Sequence, residues 1–209
     1  MYGTFPNFKT DLDNNFYKPN AILKKPLFIG NDVEMLLPKL YQYKKTSKIT
    51  DILNSSYIIT LIISNDLKKI FDNNIIYEMS YFRTSFTTLN NEKLDYYFVK
   101  PKFEALDCID FHESEFYVWE NIGPLNKSRK NPLKFKNKNE LIEYEKKGGE
   151  PYEIIKLVIN KDWNFDFFAL KMVEDFALCF IISERLKTII EESGMTGLGF
   201  MELNLQNKK

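Results

Sequence analysis

The densest cluster of reactive side chains lies between Glu104 and Glu120, which holds Asp107, Asp110, Glu113, Glu115 and the single histidine, His112. Carboxylates beside an imidazole could shuttle protons or hold a metal ion. Convergence is the obstacle. Side chains alternate across an extended segment, so Asp110 and His112 can share a face while Asp107 cannot join them. A solvated acidic edge carrying one surface histidine is the expected state, and no catalytic residue, metal ligand or cofactor is assigned. A small hydrolase using Asp107, Asp110 and His112 remains the alternative class. A thiol–imidazole pair drawn from Cys108 or Cys179 with His112 is a further option, with reduced core thiols the expected role of both cysteines.

Other chemical signatures are missing. The chain has no Gly-x-Ser-x-Gly elbow, no phosphate-binding loop and no His-Glu-x-x-His pattern. Thr196-Gly197-Leu198-Gly199-Phe200 has two glycines but lacks the third of a dinucleotide fingerprint and follows a helical pattern. Close backbone packing in a sheet accounts for it better. A basic run (Lys127, Arg129, Lys130, Lys134, Lys136, Lys138) with Pro132 reads as an exposed loop. It offers a second alternative, a nucleic-acid-binding module on residues 127–138. Against that, Lys plus Arg and Asp plus Glu both number 29, so the chain has no net charge to attract a polyanion. Nucleic acid is therefore not the expected partner.

The elements that position these residues follow from patterning. Aromatic content is 15%, with 18 Phe and 12 Tyr, enough to furnish an aromatic core or contact surface. Tyr57 to Ile63 is apolar and β-branched, which predicts a buried strand. Ser64 then stands as a helix N-cap, Asp66 lies in the first turn, and Leu67, Ile70 and Phe71 recur at helical spacing. Asn73-Asn74, able to take the left-handed conformation, closes that helix before a strand over 75–82. The pattern returns near the C-terminus. A strand spans 177–182, Ser183 caps, Leu186, Ile189 and Ile190 form a stripe, Gly194 stops the helix and a strand resumes over 198–203. Ile62-Ile63-Ser64-Asn65-Asp66-Leu67-Lys68-Lys69-Ile70 aligns with Ile181-Ile182-Ser183-Glu184-Arg185-Leu186-Lys187-Thr188-Ile189. One strand–helix–strand unit used twice would produce this, as would two independent capped helices.

Further strands are expected at 95–100, 105–109, 116–119 and 152–159. A helix from Asn139 as cap to Lys147 should stop at Gly148-Gly149. Pro6, Pro19, Pro26 and Pro38 forbid a long helix in the first 50 residues. There the pattern suggests a short strand over 27–29 and a helical turn over 32–37. The expected fold is α+β, a mixed, largely antiparallel sheet, in a single domain spanning 1–209. Its first 50 residues are irregular. No secretory signal is visible and the longest apolar stretch is too short for a bilayer, so a cytoplasmic protein with no membrane partner is expected.

Three stretches resemble the bacterial immunity proteins of polymorphic toxin systems, a family first catalogued as a domain of unknown function and later recognised beside toxin genes. One is Phe180-Ile181-Ile182-Ser183-Glu184-Arg185-Leu186-Lys187, continuing through Glu191, Gly194, Thr196, Gly197 and Phe200. Another is Tyr96-Tyr97-Phe98-Val99 leading into Leu106-Asp107-Cys108-Ile109-Asp110 and Ser114. The third is Asp166-Phe167-Phe168. Together they span 57–203, and the first 50 residues match nothing in that pattern. The resemblance implies a cytoplasmic protein that binds and neutralises a cognate toxin domain, with no catalytic residues of its own. An acidic, aromatic segment at 104–120 followed by a basic one at 127–138 suits recognition by charge complementarity. Asp110, Glu113, Glu115, Trp119 and Glu120 are accordingly the expected toxin contacts. Their local alternative is that Asp107 and Asp110 cap turns or pair with nearby lysines.

Overall fold

The structure, a computed structural model, describes residues 8–10, 40–42, 48–54, 61–122, 126–173 and 176–202. The expected strand at 27–29, the helical turn at 32–37 and the 57–60 part of the first buried strand lie outside them. The fold is α+β with three helices and mainly antiparallel sheets among the described residues. Contacts divide the chain into two compact units. Unit 1 comprises Met1–Lys102 and Glu184–Phe200, and unit 2 comprises Phe103–Ser183 and Met201–Lys209.

In unit 1 the strands are β1 (Phe8–Thr10), β2 (Leu40–Gln42), β3 (Ile52–Asn54), β4 (Leu61–Ser64), β5 (Met79–Thr87) and β6 (Lys93–Pro101). They form one sheet in the order β1-β2-β5-β6-β4-β3, antiparallel except where Leu40 of β2 runs parallel to Phe86 of β5. The nine-residue strands β5 and β6 make a hairpin whose turn uses Asn91 at φ 62°, a conformation Asn tolerates. Alternation places Phe82, Phe86, Leu94, Tyr96 and Phe98 on one face of that hairpin. There Leu40, Leu53, Ile62, Phe86, Tyr96 and Phe98 are buried together. The Tyr96 hydroxyl donates to the Thr50 carbonyl at 2.6 Å, so its polar end is satisfied within the core.

Helix α1 (Asn65–Asp72) starts where the sequence signals it. The Ser64 hydroxyl accepts from the Leu67 N–H at 3.1 Å, and Leu67 and Phe71 form the buried stripe. Its end differs from expectation. Asn73 has φ −94° and is not left-handed; its side-chain amide donates to the Lys69 carbonyl, and that of Asn74 donates to the Ile70 carbonyl. The last-turn acceptors are thus met by these amides together with the Asn73 and Asn74 N–H groups, which donate to Ile70 and Phe71, without a reversed backbone. The following strand begins only at Met79, because Glu78 takes φ 31° and interrupts the extended run.

Unit 2 holds a second sheet, β11-β10-β9-β7-β8. Its strands are β7 (Glu115–Ile122), β8 (Asn126–Leu133), β9 (Tyr152–Lys156), β10 (Phe167–Val173) and β11 (Phe176–Ile182). All neighbours are antiparallel except β9 and β10. Helix α2 (Lys138–Lys146) is capped by Asn137, not Asn139: Asn137 Oδ1 accepts from the N–H groups of Asn139 and Glu140. The cap falls two residues earlier because Glu140 completes it, accepting from the Lys136 N–H at 2.8 Å. Gly148, at φ +72°, stops the helix as expected. An aromatic core joins sheet and helix. Phe116, 1% exposed, stands 5.2 Å from Phe135, 5.7 Å from Phe111 and 6.4 Å from Tyr152 by ring centroids.

Two further expectations are corrected. Residues 105–109 are not a strand. Leu106–Cys108 is a 3₁₀ turn, and only Ile109 makes a bridge, to Ile159. The apolar run is buried by distant chain rather than by a ladder: the Ala105 N–H donates to Ala169, and the Cys108 carbonyl accepts from Asn160. The basic run is a loop only over 134–137: residues 127–133 belong to strand β8, which pairs with β7, and Lys138 opens helix α2.

The strand–helix–strand repeat is seen as far as a strand feeding a helix, β4 into α1 and β11 into the last helix, and the structure adds a preceding strand that pairs with each. Strands β3 and β4 close at Asp51 and Ser64, where the Ser64 N–H donates to the Asp51 carbonyl and the hydroxyl to Asp51 Oδ1, both at 2.7 Å. Strands β10 and β11 close the same way at Asp166 and Ser183, at 2.8 and 2.7 Å. Each serine directly precedes a helix, α1 or α3 (Glu184–Glu192). In unit 1, α3 buries Leu186 and Ile190 and packs against α1. The return strand does not recur: residues 198–202 are not a strand, because the chain after α3 turns at Gly194 (φ +68°) and Gly197 (φ +82°).

Candidate partner-binding site

The acidic segment is built from a turn, a reversed loop and a strand. Glu104, whose side chain is only 11% exposed, accepts the Lys171 N–H at 2.7 Å and lies 3.4 Å from the Lys171 ammonium. Asp107 pairs with Lys138 at 2.5 Å. Asp110 Oδ1 accepts the N–H groups of His112 and Glu113 at 3.0 and 3.2 Å, an Asx turn that reverses the chain ahead of β7. Ser114, buried, exchanges two bonds with the Val158 backbone and pins the end of that turn. Two of the carboxylates singled out by sequence are thus engaged locally, one as a turn cap and one with a lysine.

Glu115 opens β7, with Lys156 of β9 at 3.8 Å. Trp119 and Glu120 lie further along the same strand, and their backbone partners are Arg129 and Ser128 of β8. The acidic and basic segments are therefore adjacent strands of one hairpin, with Asn121 opposite Lys127 as well. In the sequence they read as two separate patches. Folded, the two strands lie about 5 Å apart, the spacing of paired strands.

Among the described residues no group of three or more His, Cys, Asp or Glu side chains is arranged to hold a metal. Asp107, Asp110 and His112 are placed in one turn, but Asp107 points its charge to Lys138, Asp110 is spent on backbone, and His112 is exposed. Cys108 is fully buried, and burial, reinforced by the charges of Glu104 and Asp107, pushes its thiol well above the ordinary range. It is held as the thiol, which is a poor nucleophile. Cys179 is buried as well.

The structure also reveals residues that sequence reading passed over. Asp51 joins strand β3, strand β4 and the turn after α3: Oδ1 accepts the Ser64 hydroxyl, while Oδ2 accepts the Thr196 N–H at 2.9 Å and hydroxyl at 3.0 Å. Asp166 is its counterpart in unit 2 and is 4% exposed. Asp51 has no sequence signal beyond its position one residue ahead of an apolar strand, and Asp166 entered the sequence reading only as the first residue of the Asp166-Phe167-Phe168 stretch. On unit 1, Lys68 lies over the rings of Tyr81 and Tyr97 at 4.5 and 5.5 Å while pairing with Asp72. No helix among the described residues is long and apolar enough to cross a membrane. No protein-family model, curated protein or solved structure matches this chain.

Proposed function

We propose that this chain is an immunity protein that binds a cognate bacterial toxin domain and neutralises it in the cytoplasm. The observation that carries the reading is the C-terminal segment on which the resemblance chiefly rests. Ser183 closes a hairpin on Asp166, Gly194 and Gly197 take left-handed backbone, and Thr196 binds Asp51 through its N–H, hydroxyl and carbonyl. These residues set the backbone path of the segment on which the resemblance chiefly rests. A neutralising protein acts by presenting a fixed surface, and antiparallel sheets with buried aromatic cores provide rigidity for that purpose.

The contact surface proposed is the segment from Asp110 to Glu120, with Glu113, Glu115, Trp119 and Glu120 as contacts and Asp110 holding the turn that presents them. A toxin that acts on phosphate-bearing substrates has a basic cleft, which an acidic turn would engage. Co-expression with the neighbouring gene product tests the class: growth rescue and co-purification are expected, and a neighbour that is not toxic, or whose toxicity the folded protein does not relieve, refutes it. The triple change Glu113→Lys, Glu115→Lys, Glu120→Lys tests the surface. It should weaken the complex and reduce its salt sensitivity. Unchanged affinity would remove this segment while leaving the neutralising role intact.

A further inference from the structure

Unit 1 is assembled from two pieces of chain, Met1–Lys102 and Glu184–Phe200, and the strands and helix of unit 2 all lie between them in sequence. The second piece supplies helix α3 and the turn after it. Within 184–200 only Leu186 and Ile190 are buried. Thr196 adds polar links to the first piece. Its carbonyl accepts the N–H groups of Asp51 and Ile52 at 3.1 and 3.2 Å, and its own N–H and hydroxyl donate to the Asp51 carboxylate. Two buried side chains and one bonded turn are a small anchorage, the profile of an element that opens locally.

How far such a segment can drift depends on the chain that connects it to the first piece. Unfolded, the connection of about 80 residues would be a long loop to close. Folded, unit 2 fixes both ends of that connection on one strand, β10. At the entry, the Ala105 N–H donates to the Ala169 carbonyl at 3.0 Å and Glu104 accepts the Lys171 N–H at 2.7 Å. At the exit, β11 pairs with β10, Phe180 standing opposite Ala169, and the Ser183 N–H donates to the Asp166 carbonyl at 2.8 Å. Entry and exit thus flank the same strand, about 10 Å apart across the sheet. Little slack is left. Only Phe103 separates Glu104 from Lys102, whose N–H donates to the Glu78 carbonyl in unit 1 at 2.7 Å, and Glu184 follows Ser183 directly.

We propose that α3 and its turn, residues 184–197, form a strap that docks on the rest of unit 1 and releases as one piece, and that folded unit 2 keeps it docked by holding its tether short. The two units are then coupled through the connectivity of the chain. A short tether sets a high effective concentration for redocking, which falls roughly as the −3/2 power of tether length. Asp51 also accepts the Ser64 hydroxyl, so the strap and the cap of α1 are fastened at one carboxylate.

A Gly-Ser insertion between Lys102 and Phe103 of the full-length chain is the test, at a bend where Phe103 is 59% exposed. Amide hydrogen exchange is read at two places. Asp51 and Ile52 lose their acceptor when Thr196 leaves, whereas the N–H groups of Asp110 and Val158 bond within unit 2. Inserting about 20 residues should speed exchange at Asp51 and Ile52 at least about 10-fold, and about 40 residues should add about 2–3-fold more. Asp110 and Val158 should change less than about twofold, because the insertion leaves unit 2 intact. If the longer tether abolishes the near-ultraviolet signature of the folded protein, an insertion of about 10 residues carries the same readouts. Exchange at Asp51 and Ile52 that ignores tether length overturns the proposal. Equal acceleration of Asp110 and Val158 overturns it too, since the chain would then be unfolding as a whole instead of releasing the strap.

Discussion

Ser64→Ala tests the joint that unit 1 is built around. The Ser64 hydroxyl has two tasks, accepting from the Leu67 N–H at 3.1 Å and donating to the Asp51 carboxylate at 2.7 Å, at a site only 9% exposed. Loss of an N-cap costs about 1 kcal/mol. Loss of a bond to a charged acceptor costs about 1.5–3 kcal/mol. Asp51 keeps its Thr196 donors, so no carboxylate is left stranded, and the sum is about 3 kcal/mol. Urea unfolding monitored by circular dichroism should show that loss at unchanged slope. The corresponding fall in Tm is about 6–12 °C for a chain of this size. Ser64→Thr, which keeps the hydroxyl, should recover at least half. A double-mutant cycle with Asp51→Ala isolates the side-chain pair and should return a coupling of about 1 kcal/mol or more. A loss below about 1 kcal/mol for Ser64→Ala would refute the reasoning, because it would mean water replaces both bonds without cost.

Phe116→Ala should cost about 3–5 kcal/mol, since the ring is 1% exposed and its loss leaves a void bordered by Phe111, Phe135 and Tyr152; denaturant titration checks this. Stability should fall above about pH 9, from the ordinary pKa values of thiol and phenol. Burial raises Tyr81, Tyr96, Tyr152 and Cys108, so the folded state retains protons that the unfolded state releases. Each such group contributes fully below its unfolded pKa and loses about 1.4 kcal/mol per pH unit above it; a flat profile between pH 9 and 11 would contradict this. Both cysteines should resist a thiol reagent in the folded protein and react only as fast as the chain unfolds, because Cys108 and Cys179 are buried.

Local interactions were legible in the sequence and long-range ones were not. The Ser64 cap, its acidic first turn and the Leu67–Phe71 stripe all lie within eight residues, and helix α1 formed where they pointed. The glycine stops at Gly148 and Gly194 were legible too, because a left-handed residue is a local requirement. Strand β8 was missed because Asn-Lys-Ser-Arg-Lys-Asn-Pro-Leu, at a sheet edge, lacks apolar alternation; charge and proline on an edge strand discourage unwanted pairing. The 105–109 segment was misread for the opposite reason. Its burial is real, but Ala105 and Cys108 find backbone partners more than 50 residues away, and apolar pattern alone cannot distinguish that from a ladder.

By itself, then, the sequence determined the α+β class, the start of helix α1, the location of α2 to within two residues and the recurrence of a strand feeding a helix, because each depends on neighbours a few residues apart. Tertiary structure decided what those elements meet. It put the acidic and basic segments side by side as β7 and β8, spent Asp110 on a turn, and brought Thr196 to Asp51 across 145 residues of chain. Such contacts depend on where the backbone goes, and no residue's type announces the partner that a distant stretch of chain will bring to it.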